Sequence, residues 1–212
     1  MNSYKLTRTL SWLAFAGIAV VLLTHFVAVL VVDEHSFVAD TISDLAIKEK
    51  AWIQDFGLDA LALSYFCLGG LILMLRDALA KQSRLSPLLA CVSFIAAGVL
   101  LIFIAEHNQY ANRPGRGESI HIYLVTAFYL SNSLAMLLLC YSSTWTDSLA
   151  RGSAWIFILG APWFFFLPDH IDGLYEKAVA VFLLAYLFFS TRFFYTIGQH
   201  QATEHENRFG YS

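Results

Sequence analysis

Histidines and acidic side chains gather at the ends of the long apolar stretches of this sequence. His107 and His121 flank one polar linker, and Asp169 and His170 lie together in another. Imidazoles and carboxylates at one membrane height can act as acid and base, or can hold a zinc ion that activates water. Because no H-E-x-x-H or H-x-x-x-H spacing is present, the sequence favours a metal-free polar pocket without a cofactor.

A serine lies beside an acidic residue in the first polar linker. Thr41 and Asp44 match the S/T-x-x-D/E capping box, which predicts a helix start and accounts for both of these side chains. Ser43 is then left as a nucleophile or a ligand, although no base follows it at a fixed spacing. The candidate catalytic residues are Ser43, Asp44, His107, His121, Asp169 and His170.

Three more polar groups lie within the apolar stretches. Inserting an ionisable side chain at the centre of a membrane span costs about 2.5 to 3.5 kcal/mol, so such a residue usually has a bonding partner or a functional role. Asp59 is a residue of this kind. His25 lies at similar depth, and the two could relay protons, hold a substrate group or only stabilise helix packing. His121 and Asn132 share one helix face, which could line a cavity or form a hydrogen-bonded seam. Asp59, His25 and Asn132 are the candidate substrate-binding residues.

The composition indicates that lipid, and not water, surrounds most of this chain. The chain has 212 residues, of which 58% are hydrophobic and 14% charged. A soluble domain carries about 25% charged residues, so an ordinary cytosolic domain, a disordered chain and a nucleic-acid-binding protein are excluded. The three cysteines lie in apolar runs without a C-x-x-C spacing, which supports neither a disulfide framework nor a zinc ribbon.

Six apolar stretches are candidates for crossing a membrane, which takes about 20 residues. They are 10–32, 56–75, 86–105, 121–141, 152–167 and 178–198. The fifth is short and ends in an aromatic run between Pro162 and Pro168. The sequence therefore predicts an all-α fold, with one six-helix membrane bundle over residues 1–199 and a polar cytoplasmic tail over 200–212.

The lysines and arginines orient this bundle. With the N-terminus inside, eight of them are cytoplasmic and five lie outside, so the positive-inside rule places both termini in the cytoplasm. Eleven of the sixteen acidic residues then lie on the outer side, as do four of the seven histidines. The titratable side chains are thus predicted to concentrate on the outer face of a multi-pass protein of the cell membrane.

Four segments, in this order, resemble a known family. They are Thr41-Ile42-Ser43-Asp44-Leu45-Ala46, the glycine-bearing second span, the Glu106 to His121 connection, and Gly173-Leu174-Tyr175-Glu176-Lys177. Together they are similar to the bacterial and archaeal membrane family called domain of unknown function 998. The family usually has a Phe-Pro-x-Asp-like turn after span three, where this chain has Ile104-Ala105-Glu106-His107.

The Ile-Ser-Asp element and the histidine that opens span four are also remotely similar to the six-span autophagy-modulator and GPI-remodelling group. The resemblance implies a six-helix bundle in a plasma membrane and no established reaction.

Three functions are compatible with these features. The preferred hypothesis is that a polar site facing the outer leaflet binds or processes a lipid or another amphiphile, which makes membrane lipids the expected partners. The alternatives are a small proton-coupled transporter that uses Asp59 and His25, and a non-catalytic scaffold or assembly subunit. The sequence does not decide whether the protein is an enzyme, and it leaves the oligomeric state open.

Overall fold

All the regular structure in the described part of the chain is helical. The computed structural model describes residues 3–33, 36–47, 50–79, 84–108, 116–141, 147–168 and 170–209. The elements are α1 (Ser3–Val31), α2 (Ile42–Leu45), α3 (Ala51–Leu79), α4 (Leu85–His107), α5 (Arg116–Tyr141), α6 (Ser148–Gly160), a 3₁₀ helix (Ala161–Phe166) and α7 (Asp172–Phe209). The prediction of an all-α fold is confirmed for these residues.

Five of the helices are long and apolar enough to cross a membrane. These candidate spans are Tyr4–Val31, Ala51–Leu79, Leu85–His107, Ile120–Tyr141 and Asp172–His200. The remaining predicted span, 152–167, is divided between α6 and the 3₁₀ helix. Proline has no N–H to continue an α-helical ladder, which explains why the chain tightens near Pro162.

Glycines bring α1 and α3 into close antiparallel contact. A Cβ atom at Gly17 would collide with the Ala60 carbonyl and the Ser64 hydroxyl, and one at Gly57 would collide with the Thr24 side chain. Small residues allow this close approach of backbones in membrane bundles, where packing drives helix association. Ser64 strengthens the contact, because its hydroxyl donates a hydrogen bond to the backbone oxygen of Ala14 at 2.9 Å.

The other helices complete the bundle around this pair. α3 also packs on α4, α4 packs on α5, and both α1 and α6 pack on α7. The buried core contains Tyr65, whose hydroxyl donates a 2.5 Å hydrogen bond to Oδ1 of Asn132 on α5. α1 and α4 end at the same end of the bundle at which α3, α5 and α7 begin, and we call it the cap end.

Residues 36–47, which connect α1 to α3, fold over the cap end and are called the cap. The predicted capping box is present: the Asp44 carboxylate accepts a hydrogen bond from the Thr41 N–H at 2.7 Å, and the Asp44 N–H donates to Thr41 Oγ1 at 3.2 Å. The helix that it starts has only four residues. Leu45 at its end is buried against Ala28 and Ile53, so the cap is packed onto the bundle.

Candidate functional site

Main-chain atoms of the cap bind to the first turns of α7. The N–H of Leu174 donates to the backbone oxygen of Val38 at 2.8 Å. The N–H of Ile42 donates to Oε2 of Glu176 at 2.6 Å. The first N–H groups of a helix have no partner within it, so the Glu176 carboxylate satisfies a group that α2 itself leaves open. These contacts fix the height of the cap over the bundle.

Lys177 is the second side chain of α7 that holds the cap. Its ammonium donates to the backbone oxygens of Asp40 at 2.6 Å and of Gly173 at 3.3 Å, and it lies 5.1 Å from the centre of the Phe37 ring. Gly173 makes this approach feasible, because a Cβ atom there would collide with the Asp40 carbonyl. The Lys177 charge is therefore satisfied by carbonyl oxygens and an aromatic face.

A cavity of about 230 Å³ lies under the cap. Every long helix, and α6, contributes apolar side chains to its wall, among them Val21, Leu58, Leu101, Val125, Phe157 and Leu184. At about 30 Å³ for each water-sized group, the cavity has room for roughly seven or eight such groups. This is enough for a polar head or part of an alkyl chain, and too little for a two-chain lipid.

The cavity wall between α1 and α7 includes exposed apolar side chains. Far from the cap end these helices touch closely, where Gly198 meets the Thr7 side chain. Near the cap end, Leu22, Phe26 and Val181 line the cavity and are 38%, 61% and 58% exposed. In a membrane these side chains face lipid, so the cavity adjoins the acyl chains between α1 and α7.

Two buried carboxamides stand at the polar end of the cavity. Gln54, in the first turn of α3, and Asn108, directly after α4, both line it and are each 1% exposed. The Asn108 Nδ2 group donates to the Asp55 carboxylate at 3.0 Å, which fixes which amide atom is oxygen, since a carboxylate only accepts. Within the described residues, Gln54 Oε1 and Asn108 Oδ1 have no hydrogen-bond partner.

Ser43 and His121 meet at the cap. Oγ of Ser43, which lines the cavity, lies 3.2 Å from Nε2 of His121, which is 8% exposed. His121 Nδ1 is buried and has no partner among the residues that the structure describes. Because buried N–H groups without an acceptor are rarer than buried lone pairs, we assign the proton to Nε2. Nε2 then donates to Ser43, whose own hydroxyl hydrogen is left to donate elsewhere.

The other candidate catalytic residues that the structure describes have other surroundings. Asp44 is engaged in the capping box, and Nδ1 of His107 donates to the backbone oxygen of Phe103 at 2.9 Å on its own helix. His170 is exposed in the turn before α7. Asp169 lies outside the described residues. Of the six candidates, the structure brings Ser43 and His121 into hydrogen-bonding contact.

The candidate substrate-binding residues have three different environments. His25 lines the cavity, whereas the Asp59 side chain is exposed on α3. Asn132 is fully buried between helices, where it accepts from Tyr65 and donates to the backbone oxygen of Phe128 at 2.9 Å. No group of three or more His, Cys, Asp or Glu residues in the described ranges could hold a metal ion.

Sequence reasoning did not select four residues of this site, namely Gln54, Asn108, Glu176 and Lys177. The last two were visible as adjacent opposite charges at the head of an apolar stretch, in a segment that carried the family resemblance. Gln54 and Asn108 are uncharged amides near helix ends, where such residues are common and carry no signal of their own.

The five long apolar helices and the capped cavity define a multi-pass membrane protein. Residues 5–192 match the family described as Protein of unknown function (DUF998), so the chain belongs to that family. The resemblance to domain of unknown function 998 is thereby confirmed. Comparisons with curated proteins and with solved structures give no match.

Proposed function

We propose that this protein binds an amphiphile that enters its cavity from the outer leaflet of the cell membrane. The observation that carries the proposal is an apolar cavity with two buried carboxamide oxygens at its capped end, on Gln54 and Asn108, that have no hydrogen-bond partner among the described residues. A buried polar group without a partner costs about 1 to 3 kcal/mol. A ligand with an apolar chain and a polar head would satisfy both parts of the site.

The proposed orientation rests on six crossings. At about 1.5 Å per residue α6 is roughly 20 Å long, and the 3₁₀ helix adds roughly 12 Å at about 2.0 Å per residue, which together match the ~30 Å hydrocarbon layer. With a sixth crossing, the positive-inside rule places both termini in the cytoplasm and the cap end outside. Residues 1–199 would then form one membrane domain, although α7 continues to Phe209.

The route of entry follows from the wall between α1 and α7. An alkyl chain in the outer leaflet would contact the exposed Phe26 and Val181 before it reached the cavity. Since the cavity holds only seven or eight groups, the remainder of a long chain would stay between the two helices and in the lipid.

A matched pair of alanines on α7 tests the proposal. Ala180 lines the cavity, whereas Ala178, two residues earlier, is exposed. The full chain is placed in nanodiscs of a two-chain phosphatidylcholine, and binding of radiolabelled 1-dodecanoylglycerol is measured by scintillation proximity. We expect Ala180→Phe to weaken binding at least about tenfold, which corresponds to 1.4 kcal/mol, and Ala178→Phe to bind like the wild type.

The proposal fails if the wild type does not bind the probe, or if Ala180→Phe binds it as well as the wild type does. Native mass spectrometry of the same samples adds a second readout, because lipids retained from the cell should be lost from Ala180→Phe and kept by Ala178→Phe. A thermal unfolding curve for each variant verifies that it is folded.

Processing of the amphiphile is a second candidate function, raised by the 3.2 Å contact between Oγ of Ser43, which lines the cavity, and Nε2 of His121. It requires the ring proton to move from Nε2 to Nδ1, because His121 with the proton on Nε2 donates to Ser43 and cannot be its base. A serine nucleophile needs a base that accepts its proton, and an acceptor at the other ring nitrogen orients that base. Hydrolysis of p-nitrophenyl dodecanoate distinguishes the two functions. An enzyme would lose turnover in Ser43→Ala, whereas a binding protein would show only background turnover before and after the change.

A further inference from the structure

We propose that the site selects single-chain amphiphiles with an uncharged head that donates hydrogen bonds, such as the hydroxyls of a monoacylglycerol, and discriminates against anionic heads. This inference rests on the proposed function and names its ligand class. Three features of the capped end of the cavity support it: the acceptors offered to a ligand, the one cation in the wall, and the charge behind the wall.

The first feature is that the unpartnered groups are acceptors. Asn108 cannot turn its amide round, because its Nδ2 group is held by the Asp55 carboxylate. Its Oδ1 atom therefore remains the atom left for a ligand, and Oε1 of Gln54 is a second one in the orientation that this amide has in the structure. A hydroxyl, an amide N–H or an ammonium can donate to these oxygens, whereas an ester, an ionised carboxylate or a doubly ionised phosphate monoester cannot.

The second feature is that Lys177 already has its partners. Among the described residues that line the cavity it is the one lysine or arginine. Its ammonium donates to two backbone oxygens and lies over the Phe37 ring, and its exposed fraction is 7%. These contacts use two of the three N–H groups of the ammonium, and the Phe37 ring lies beside it, so an anionic head could take at most one hydrogen bond from this cation.

The third feature is that negative charge lies behind the wall. The Asp55 carboxylate contacts Asn108, and the Glu176 carboxylate lines the cavity itself. The Asp55 carboxylate would repel an anion brought to the capped end, and Glu176 would add to this repulsion when it is ionised. Ser43 supplies the complementary group, since its hydroxyl can donate to the oxygen of a ligand hydroxyl. A ligand hydroxyl can donate to the carboxamide oxygens of Asn108 and Gln54 and accept from the Ser43 hydroxyl, whereas an ammonium can only donate.

The size of the cavity favours a ligand with a single acyl chain. The cavity volume of about 230 Å³ fits a head and the first few carbons, and the wall between α1 and α7 offers one lateral path for the rest. This volume leaves no room for a second acyl chain beside the first.

Three probes with the same twelve-carbon chain test the head: 1-dodecanoylglycerol, methyl dodecanoate and dodecyl phosphate. Each competes with radiolabelled 1-dodecanoylglycerol for the full chain in phosphatidylcholine nanodiscs, a system without single-chain detergent. We expect the glycerol ester to bind at least about tenfold tighter than either competitor, since one satisfied buried group is worth about that factor.

Two variants remove the acceptors separately. Asn108→Leu and Gln54→Leu should each weaken binding of 1-dodecanoylglycerol about tenfold and leave that of methyl dodecanoate unchanged. Gln199→Leu, which removes an exposed amide from the other end of α7, is the matched control and should bind all probes like the wild type. Gln54→Leu does not touch Asp55, so it remains informative if Asn108→Leu fails to fold.

The outcomes separate the two proposals. If methyl dodecanoate or dodecyl phosphate binds as tightly as the glycerol ester, the head selectivity is refuted and amphiphile binding stands. If Asn108→Leu and Gln54→Leu both fold and keep the preference, the assigned acceptors are wrong. If none of the three probes binds the wild type, the proposed function itself fails.

Discussion

Removal of the Glu176 carboxylate should release the cap from α7. Oε2 of Glu176 accepts the N–H of Ile42 at 2.6 Å, and this N–H lies at the start of α2, where no helical partner exists. In Glu176→Leu the N–H loses its acceptor while the apolar volume is roughly kept. The expected consequence is more frequent local opening of residues 36–47, with the rest of the bundle intact.

The size of the effect follows from the type of bond. When Glu176 is ionised, its bond to Ile42 is a hydrogen bond to a charged group. Such a bond contributes about 1.5 to 3 kcal/mol, which is a factor of about 10 to 150 in an opening equilibrium. In Glu176→Gln the side-chain oxygen can still accept from Ile42, but without the charge. Charge-assisted bonds are roughly twice as strong as neutral ones, so Glu176→Gln should fall about midway between the wild type and Glu176→Leu on a logarithmic scale.

Hydrogen–deuterium exchange with mass spectrometry measures this opening directly. Peptides that cover residues 36–47 should exchange about 10 to 150 times faster in Glu176→Leu, while peptides from α4 should be unchanged. Glu106→Leu provides the control, since Glu106 is an exposed acid at the end of α4. Equal exchange of the cap in wild type and Glu176→Leu would refute the view that this carboxylate holds the cap, as would equal acceleration in Glu106→Leu.

Three further outcomes are expected. Gly17→Ala should lower the stability by about 1 to 3 kcal/mol in thermal unfolding, because the added Cβ atom collides with α3. Gly152→Ala is the control and should be neutral or slightly stabilising, since the space at that position is open. Equal effects of the two changes would contradict the packing of α1 on α3. Tyr65→Phe should lower the free energy of unfolding by about 1 to 3 kcal/mol, because Oδ1 of Asn132 stays buried without its donor. Adding Asn132→Leu should restore part of this stability. If the effects of the two changes simply add in a double-mutant cycle, the two side chains are not coupled. If the cap end faces outwards, His170→Cys should react with a membrane-impermeant maleimide on intact cells. Labelling that occurs only after permeabilisation would show that the cap end faces the cytoplasm.

Local patterns in the sequence predicted the helices and the start of the cap. Hydropathy located the long helices, since about 20 apolar residues are enough to cross a membrane. The capping box of Thr41 and Asp44 depends on residues three apart, so its spacing alone predicted it. The run after Gly160 was harder, because the same apolar residues occur in an α-helix and in the 3₁₀ helix that follows.

Long-range packing explains what the sequence could not predict. Ser43 and His121 were both candidates, but they are 78 positions apart, and their contact depends on where the cap lies over α5. Ile42 and Glu176 are 134 positions apart, and the bond uses a main-chain N–H that no residue type reveals. Asp59 was selected as a charge within a span, yet its side chain is exposed. The sequence could not predict this, because the charge of a residue does not indicate which face of the helix packs against the bundle.

The contacts of the cap with α7 have a consequence for how relatives of this chain should differ. On the cap side the bonding atoms are the backbone oxygens of Val38 and Asp40 and the backbone N–H of Ile42, which almost any residue would supply. On the α7 side the bonds need a glycine, a carboxylate and an ammonium at fixed spacing. An alignment of the family should therefore tolerate substitution at 38, where only the backbone oxygen is bonded to α7, while retaining the pattern Gly-x-x-Glu-Lys at the head of the last helix.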